Sequence, residues 1–253
     1  VTDSERKNIY DVFDQESPMA TEMRRLYSNI RHHHGRPDMR SFLVTSADRG
    51  EGKSTIASHL ALTVARFKGK KSLIVDADLR RPRLHDVFAV PREPGLLECL
   101  EGKIDPLAAV KDTPVENLKV IPAGARIKSP AHLFEGDVLS EIFKKIRFYY
   151  DIVIVDCAPV IPVSDPMLIS SEVDGVILVL LAGKTPRHVA QRACDILRDA
   201  NANVIGVVVN NLSEVLPYYY DYKYYGYREH EGEKGGASGA GNAPAGSGAG
   251  GPR

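Results

Sequence analysis

Six short runs of Val, Ile and Leu recur along the chain: Phe42–Thr45, Ser72–Val75, Leu118–Ile121, Ile152–Val155, Gly175–Leu181 and Val204–Val209. They are continuous rather than alternating, the pattern of parallel strands buried on both faces. Longer amphipathic stretches separate them, and three read as helices: Ser54–Phe67, Leu133–Arg147 and Pro186–Ala200. The last is entered through Thr185-Pro186, a pair suited to a helix start. Right-handed crossovers between such units give a three-layer, doubly wound, mostly parallel α/β sheet whose ligand lies at the carboxyl ends of the strands. Ahead of the first strand, Ser17-Pro18 followed by Met19–Arg31 reads as a separate capped helix.

The organisation expected is an N-terminal helical segment over 1–40, a core over 41–216, a tyrosine-rich stretch over 217–230 and a flexible tail of Gly, Ala and Ser over 231–253. The length of 253 residues suits one sizeable domain and a tail. Lys and Arg number 33 and Asp and Glu 33, so no global field draws the chain to nucleic acid or anionic lipid. Cys99, Cys157 and Cys194 are far apart and lack Cys-x-x-Cys spacing, which argues against a disulfide framework or zinc site and fits a reducing cytoplasm. No apolar run approaches the ~20 residues of a membrane helix, so no direct membrane insertion is expected.

The chemistry concentrates after the first strand. Ser46-Ala47-Asp48-Arg49-Gly50-Glu51-Gly52-Lys53-Ser54-Thr55 lies between a strand and a long helix, the place and spacing of a P-loop. Ala47 stands where the consensus begins with glycine. Backbone N–H groups over Gly50, Glu51, Gly52, Lys53, Ser54 and Thr55 are expected to wrap phosphates at the helix's positive end, with Lys53 as a mobile charge and Ser54 as a Mg²⁺ ligand. Two further strands end in carboxylates, at Asp76-Ala77-Asp78 and at Asp156. Asp156 and one of Asp76 or Asp78 suit a hard cation, and a carboxylate there is equally able to accept a proton from an attacking hydroxyl.

The run Asp76-Ala77-Asp78-Leu79-Arg80-Arg81-Pro82, together with Ser46–Thr55 and Ile152–Pro159, resembles the nucleotide motifs of the bacterial tyrosine kinases that control capsule and exopolysaccharide synthesis. The resemblance runs from about Ser17 to Tyr227. It implies an ATP- and Mg²⁺-dependent tyrosine autokinase in which Lys53 contacts phosphates, Ser54, Asp78 and Asp156 hold Mg²⁺, Asp76 is the base, and Asn210 faces adenine. It also implies a membrane-embedded polysaccharide co-polymerase as activating partner, recruiting a cytoplasmic chain to the inner face of the plasma membrane. The segment Pro18–Ile30 is similar to the family's assembly helix, but its Glu-x-x-Arg-x-x-Arg positions fall on Thr21, Arg24 and Tyr27. Any homo-oligomer is therefore expected to be weak or dependent on the partner.

The substrate signal is a cluster of tyrosines after Pro217: Tyr218, Tyr219, Tyr220, Tyr222, Tyr224, Tyr225 and Tyr227. Clustered hydroxyls next to a flexible tail suit phosphoacceptors, and each modification adds ~1.5–2 negative charges. Lys/Arg interleaving is too sparse there for nucleic-acid stacking. Two other functions compete: a positioning ATPase of the ParA/MinD type, disfavoured by Asp48 where that group has a second lysine, and a non-catalytic scaffold that binds ATP to regulate a polysaccharide machine. His32-His33-His34 and Arg80-Arg81-Pro82-Arg83 are read as solvated linker and as local phosphate or partner contacts.

Overall fold

A computed structural model of the chain describes residues 9–32 and 38–211. The tyrosine cluster, the tail and His33-His34 lie outside the described residues.

The six expected strands all form and are joined by a two-residue edge strand. β1 (Ser41–Ser46), β2 (Ser72–Asp76), β4 (Leu118–Ile121), β5 (Ile152–Asp156), β6 (Gly175–Leu181) and β7 (Val204–Asn210) run parallel, and β3 (Lys111–Asp112) pairs antiparallel with β4. The order across the sheet is β3-β4-β2-β5-β1-β6-β7. Successive connections leave β1 in opposite directions, first toward β2 and later toward β6. The carboxyl edge at β1, β2 and β5 is therefore the crevice in which such sheets hold ligands.

Helices cover both faces, and α1 (Ile9–Val12) and α4 (Leu84–Val87) add single turns. On one, α2 (Pro18–His32) and α3 (Lys53–Lys68) pack through Met23, Ile30, Leu60 and Val64 against Phe42, Val44 and Ile154. On the other, α5 (Leu96–Leu100), α6 (Asp137–Tyr149), α7 (Asp165–Ser170) and α8 (Arg187–Asp199) pack against Leu43, Val75, Val155 and Leu178. β1, β2 and the first half of β6 have no exposed position, which explains why they read as unbroken apolar runs.

Element ends follow local chemistry. The Ser17 hydroxyl accepts from Ala20 N–H at 3.2 Å, capping α2 as its Ser-Pro start implies. Helix α6 starts at Asp137 instead of Leu133, because Ala131–Phe134 forms a separate 3₁₀ turn and Gly136, at φ +89°, breaks the helical path between them. The positions Thr21, Arg24 and Tyr27 serve the fold itself. Arg24 donates to Thr21 Oγ1 at 2.9 Å and lies 4.5 Å from the Phe67 ring centroid, while Tyr27 is buried in the core.

Candidate functional site: a phosphate loop backed by three carboxylates

The loop between β1 and α3 takes the P-loop path. Its positive-φ residues are Gly50 and Gly52, at +77° and +89°. Ala47 is not among them; it is fully buried, so alanine at the consensus glycine costs the loop no backbone strain. A Cβ on Gly52 would lie 2.1 Å from Asn210 Nδ2. The first-turn N–H groups of Lys53, Ser54 and Thr55 have no backbone acceptor among the described residues, as at any helix start, and form a ready anion cradle.

Glu51 and Asn210 brace this loop. The Glu51 side chain is buried; Oε2 accepts from Asp48 N–H at 2.8 Å and Oε1 accepts from the Thr185 hydroxyl. Asn210 Nδ2 donates to the Glu51 carbonyl at 3.0 Å, and its Oδ1 accepts from Asn211 N–H at 2.9 Å. The loop is thereby tied to the ends of β6 and β7. Thr185 was not foreseen, since the sequence separates it from Glu51 by 134 positions.

A cavity of about 580 Å³ opens over the loop, lined among others by Gly52, Lys53, Ser54, Thr55 and Asp78. Lys53 Nζ lies 3.0 Å from Asp78 Oδ2. Burial disfavours its ammonium, but the Asp156 and Asp78 charges outweigh this and hold its pKa above the usual lysine value. Asp76 and Asp156 stand behind the wall, fully buried and paired in register across β2 and β5. Burial raises both carboxyl pKa values. The Asp156 charge raises Asp76 further, while Lys53 and Ser54 pull Asp156 back.

The three carboxylates differ in their hydrogen bonds. Asp76 accepts from Leu84 N–H at 2.9 Å and Arg83 N–H at 3.0 Å through one oxygen, and from Asp78 N–H at 3.2 Å through the other. Asp78 Oδ1 accepts from Arg81 N–H at 3.1 Å. Among the described residues neither Asp156 oxygen has a partner of hydrogen-bonding geometry, although Ser54 lies close enough to lower its pKa. A fully buried carboxylate with both oxygens unspent, beside a serine hydroxyl and a second carboxylate, is a hard-oxygen set that fits Mg²⁺, which completes its shell with waters and substrate phosphates.

Arg80 also lines the cavity, but its guanidinium is already engaged. Its Nε and Nη2 pair with the two oxygens of the fully buried Asp165 at 2.8 and 3.0 Å, and Nη1 donates to the Lys128 carbonyl at 3.1 Å. Asp165, 85 positions away, is a site-supporting residue that no local sequence signal marks.

Comparison with known proteins agrees with this geometry. Residues 39–238 match the ParA family profile described as NUBPL iron-transfer P-loop NTPase. The chain is 31% identical over 225 residues to tyrosine-protein kinase YwqD of Bacillus subtilis, covering 89% of this chain and 94% of that protein. It is 32% identical over 187 residues to the putative tyrosine-protein kinase EpsB of Ralstonia solanacearum, covering 74% of this chain and 25% of that longer protein. The kinase domain of the Escherichia coli tyrosine kinase ETK superposes with a TM-score of 0.73 at 26% identity, covering 81% of this chain and 84% of that one. With its nucleotide-binding phosphate loop, Asp-x-Asp-x-Arg segment and carboxylate-ended strands, the chain belongs to the bacterial tyrosine-protein kinase family of P-loop proteins.

Proposed function

We propose that this site transfers the γ-phosphoryl group of ATP to tyrosine hydroxyls, and that Tyr218–Tyr227 of another copy supplies the acceptors. The observation that carries the reading is the Lys53–Asp78 pair at the cavity wall, 3.0 Å apart, in front of the unpartnered Asp156. When phosphates enter, Lys53 exchanges Asp78 for them, and Asp78 Oδ2 becomes free to take the phenolic proton. The phenolate oxygen then bonds to the γ-phosphorus as the bond to the β–γ bridging oxygen breaks, and ADP leaves.

Ser54 and Asp156 would hold Mg²⁺, with Asp78 reaching it through water, and the metal would neutralise charge on the phosphate oxygens. Asp76, with both oxygens accepting backbone N–H groups, positions the Asp78–Leu84 segment; Asp78 is the better-placed base. Glu51 acts through its backbone and as a brace. Asn210 holds the loop by its amide, and this accounts for its place at the end of β7 without requiring contact with adenine.

Iron transfer, named in the profile description, needs thiolates. Cys99, Cys157 and Cys194 lie far apart in sequence without Cys-x-x-Cys spacing, which disfavours that role. Among the described residues no helix is long and apolar enough to cross a membrane. The kinase-like part of EpsB occupies a quarter of a longer protein. We propose, from the family resemblance, that the chain works with a membrane-embedded partner in polysaccharide export.

The test is a full-length variant with Tyr218, Tyr219, Tyr220, Tyr222, Tyr224, Tyr225 and Tyr227 all changed to Phe, incubated with γ-labelled ATP and Mg²⁺ alongside the wild type. The variant is expected to bind nucleotide and lose most of the incorporated label. Equal incorporation in both proteins would move the acceptor elsewhere.

A further inference from the structure

Among the described residues, three arginines of the cavity wall are not paired with any carboxylate. Lys53 is matched by Asp78 and Arg80 by Asp165. Arg49, Arg81 and Arg83 line the same cavity. All three are exposed, and among the described residues their guanidinium groups make neither an ion pair nor a hydrogen bond. Yet the backbone that bears two of them is fixed by the site's own carboxylates: Arg81 N–H on Asp78 Oδ1 at 3.1 Å and Arg83 N–H on Asp76 Oδ2 at 3.0 Å. Arg81 is thus anchored directly beside the proton acceptor assigned above.

The negative charge that a tyrosine segment brings to these arginines depends on its modification state. An unmodified tyrosine brings none. A phosphotyrosine brings ~1.5–2 negative charges and three acceptor oxygens, the chemistry an arginine pair binds best. We propose that Arg81 and Arg83 form a phosphotyrosine subsite, which holds one modified tyrosine of the acceptor segment while a neighbouring tyrosine occupies the place beside Asp78. The inference rests on the kinase reading and names the preferred substrate of that site: a tyrosine-rich segment already carrying one phosphate.

The acceptor sequence repeats its tyrosines at a regular interval. Tyr218, Tyr220, Tyr222 and Tyr224 recur at every second position, so in an extended segment they share one face at about 7 Å intervals. Arg81 and Arg83 make a single subsite, so tail affinity rises with the first phosphate and not with the next.

The test uses full-length protein with the seven tail tyrosines changed to Phe, so that its own tail does not compete, loaded with a non-hydrolysable ATP analogue and Mg²⁺. Fluorescent peptides spanning residues 216–228 are titrated by anisotropy: unmodified, phosphorylated at Tyr222, and phosphorylated at both Tyr220 and Tyr222. The singly phosphorylated peptide is expected to bind about fivefold tighter or more than the unmodified one, with no further gain from the second phosphate. Arg81→Ala/Arg83→Ala, its fold checked by melting, is expected to erase that advantage and leave the unmodified peptide's affinity in place. Equal affinity of the first two peptides, or an advantage that survives the double substitution, overturns the subsite. Phosphoryl transfer from ATP to the unmodified peptide is read separately with nucleotide-competent wild type; its absence counts against the kinase reading, while the anisotropy result still decides the subsite.

Discussion

Lys53 Nζ and Asp78 Oδ2 lie 3.0 Å apart, joining the first residue of α3 to the segment that follows β2. The ammonium feels the charges of Asp78 and of the fully buried Asp156. Lys53→Met therefore removes both the proposed phosphate ligand and the charge that balances Asp78 and Asp156. Nucleotide-dependent phosphorylation is expected to fall at least a hundredfold, with the fold retained and the melting temperature lowered by a few degrees. Circular dichroism melting and phosphate incorporation measure the two effects.

Gly52 and Asn210 form a second, steric relationship. A Cβ on Gly52 would meet Asn210 Nδ2 at 2.1 Å from a backbone at φ +89°. Gly52→Ala is expected to cut nucleotide affinity tenfold or more, by displacing the brace and straining the loop together. Asn210→Ala, which loses only the hydrogen bond to the Glu51 carbonyl, is expected to have the smaller effect. Titration calorimetry with ATP and Mg²⁺ ranks the two, and a larger loss in Asn210→Ala would argue for direct nucleotide contact by that amide.

Arg80 and Asp165 hold the segment after β2 against α7. Asp165 is fully buried and the Arg80 side chain is 28% exposed. Arg80→Leu leaves a buried carboxylate without its partner and is expected to cost about 2–3 kcal/mol, toward the low end for a broken pair because water reaches the guanidinium. Arg80→Leu/Asp165→Asn is expected to be more stable than Arg80→Leu alone. Urea denaturation of wild type, Arg80→Leu, Asp165→Asn and the double variant checks this, and additive losses would deny the coupling.

His59, on α3, stacks on Phe13 with centroids 5.9 Å apart, and its Nδ1 has no hydrogen-bond partner. Burial lowers its pKa below the usual histidine value of 6.5. The unfolded chain thus binds a proton more readily than the folded one. The stability this contributes is fully present above about pH 6.5 and is lost as pH falls below that value toward the folded pKa. The buried carboxylates Asp76 and Asp156 act with the opposite sign, their raised pKa values favouring the folded state at lower pH. The comparison must therefore be between proteins: between pH 7.5 and 5.5, wild type is expected to lose more stability than His59→Phe.

The strands were legible because burial on both sheet faces leaves an unbroken apolar run, and the observed bounds of β4 and β6 coincide with those runs. The phosphate loop was legible because its function depends on consecutive residues. The standing of the three aspartates was not. Asp76, Asp78 and Asp156 look alike as strand-terminal acids, and only the fold turns Asp76 toward the Arg83 and Leu84 N–H groups, leaves both Asp156 oxygens unpartnered, and sets Asp78 against Lys53. Asp165 and Thr185 escaped notice for the same reason, since each is joined to the site by a contact more than 80 positions away in sequence. Positions Thr21, Arg24 and Tyr27, read as a worn assembly motif, proved to be occupied by packing within the chain.

The central claim is that Lys53 and the carboxylates behind it drive phosphoryl transfer onto the tyrosine cluster. Wild type and Lys53→Met, each incubated with ATP and Mg²⁺, digested and mapped by mass spectrometry, test it most directly. The account predicts phosphotyrosine within 218–227 in the wild type, abolished by chelating Mg²⁺ and absent from Lys53→Met. ATP hydrolysis by the wild type without phosphotyrosine, or undiminished phosphotyrosine in Lys53→Met, would contradict it.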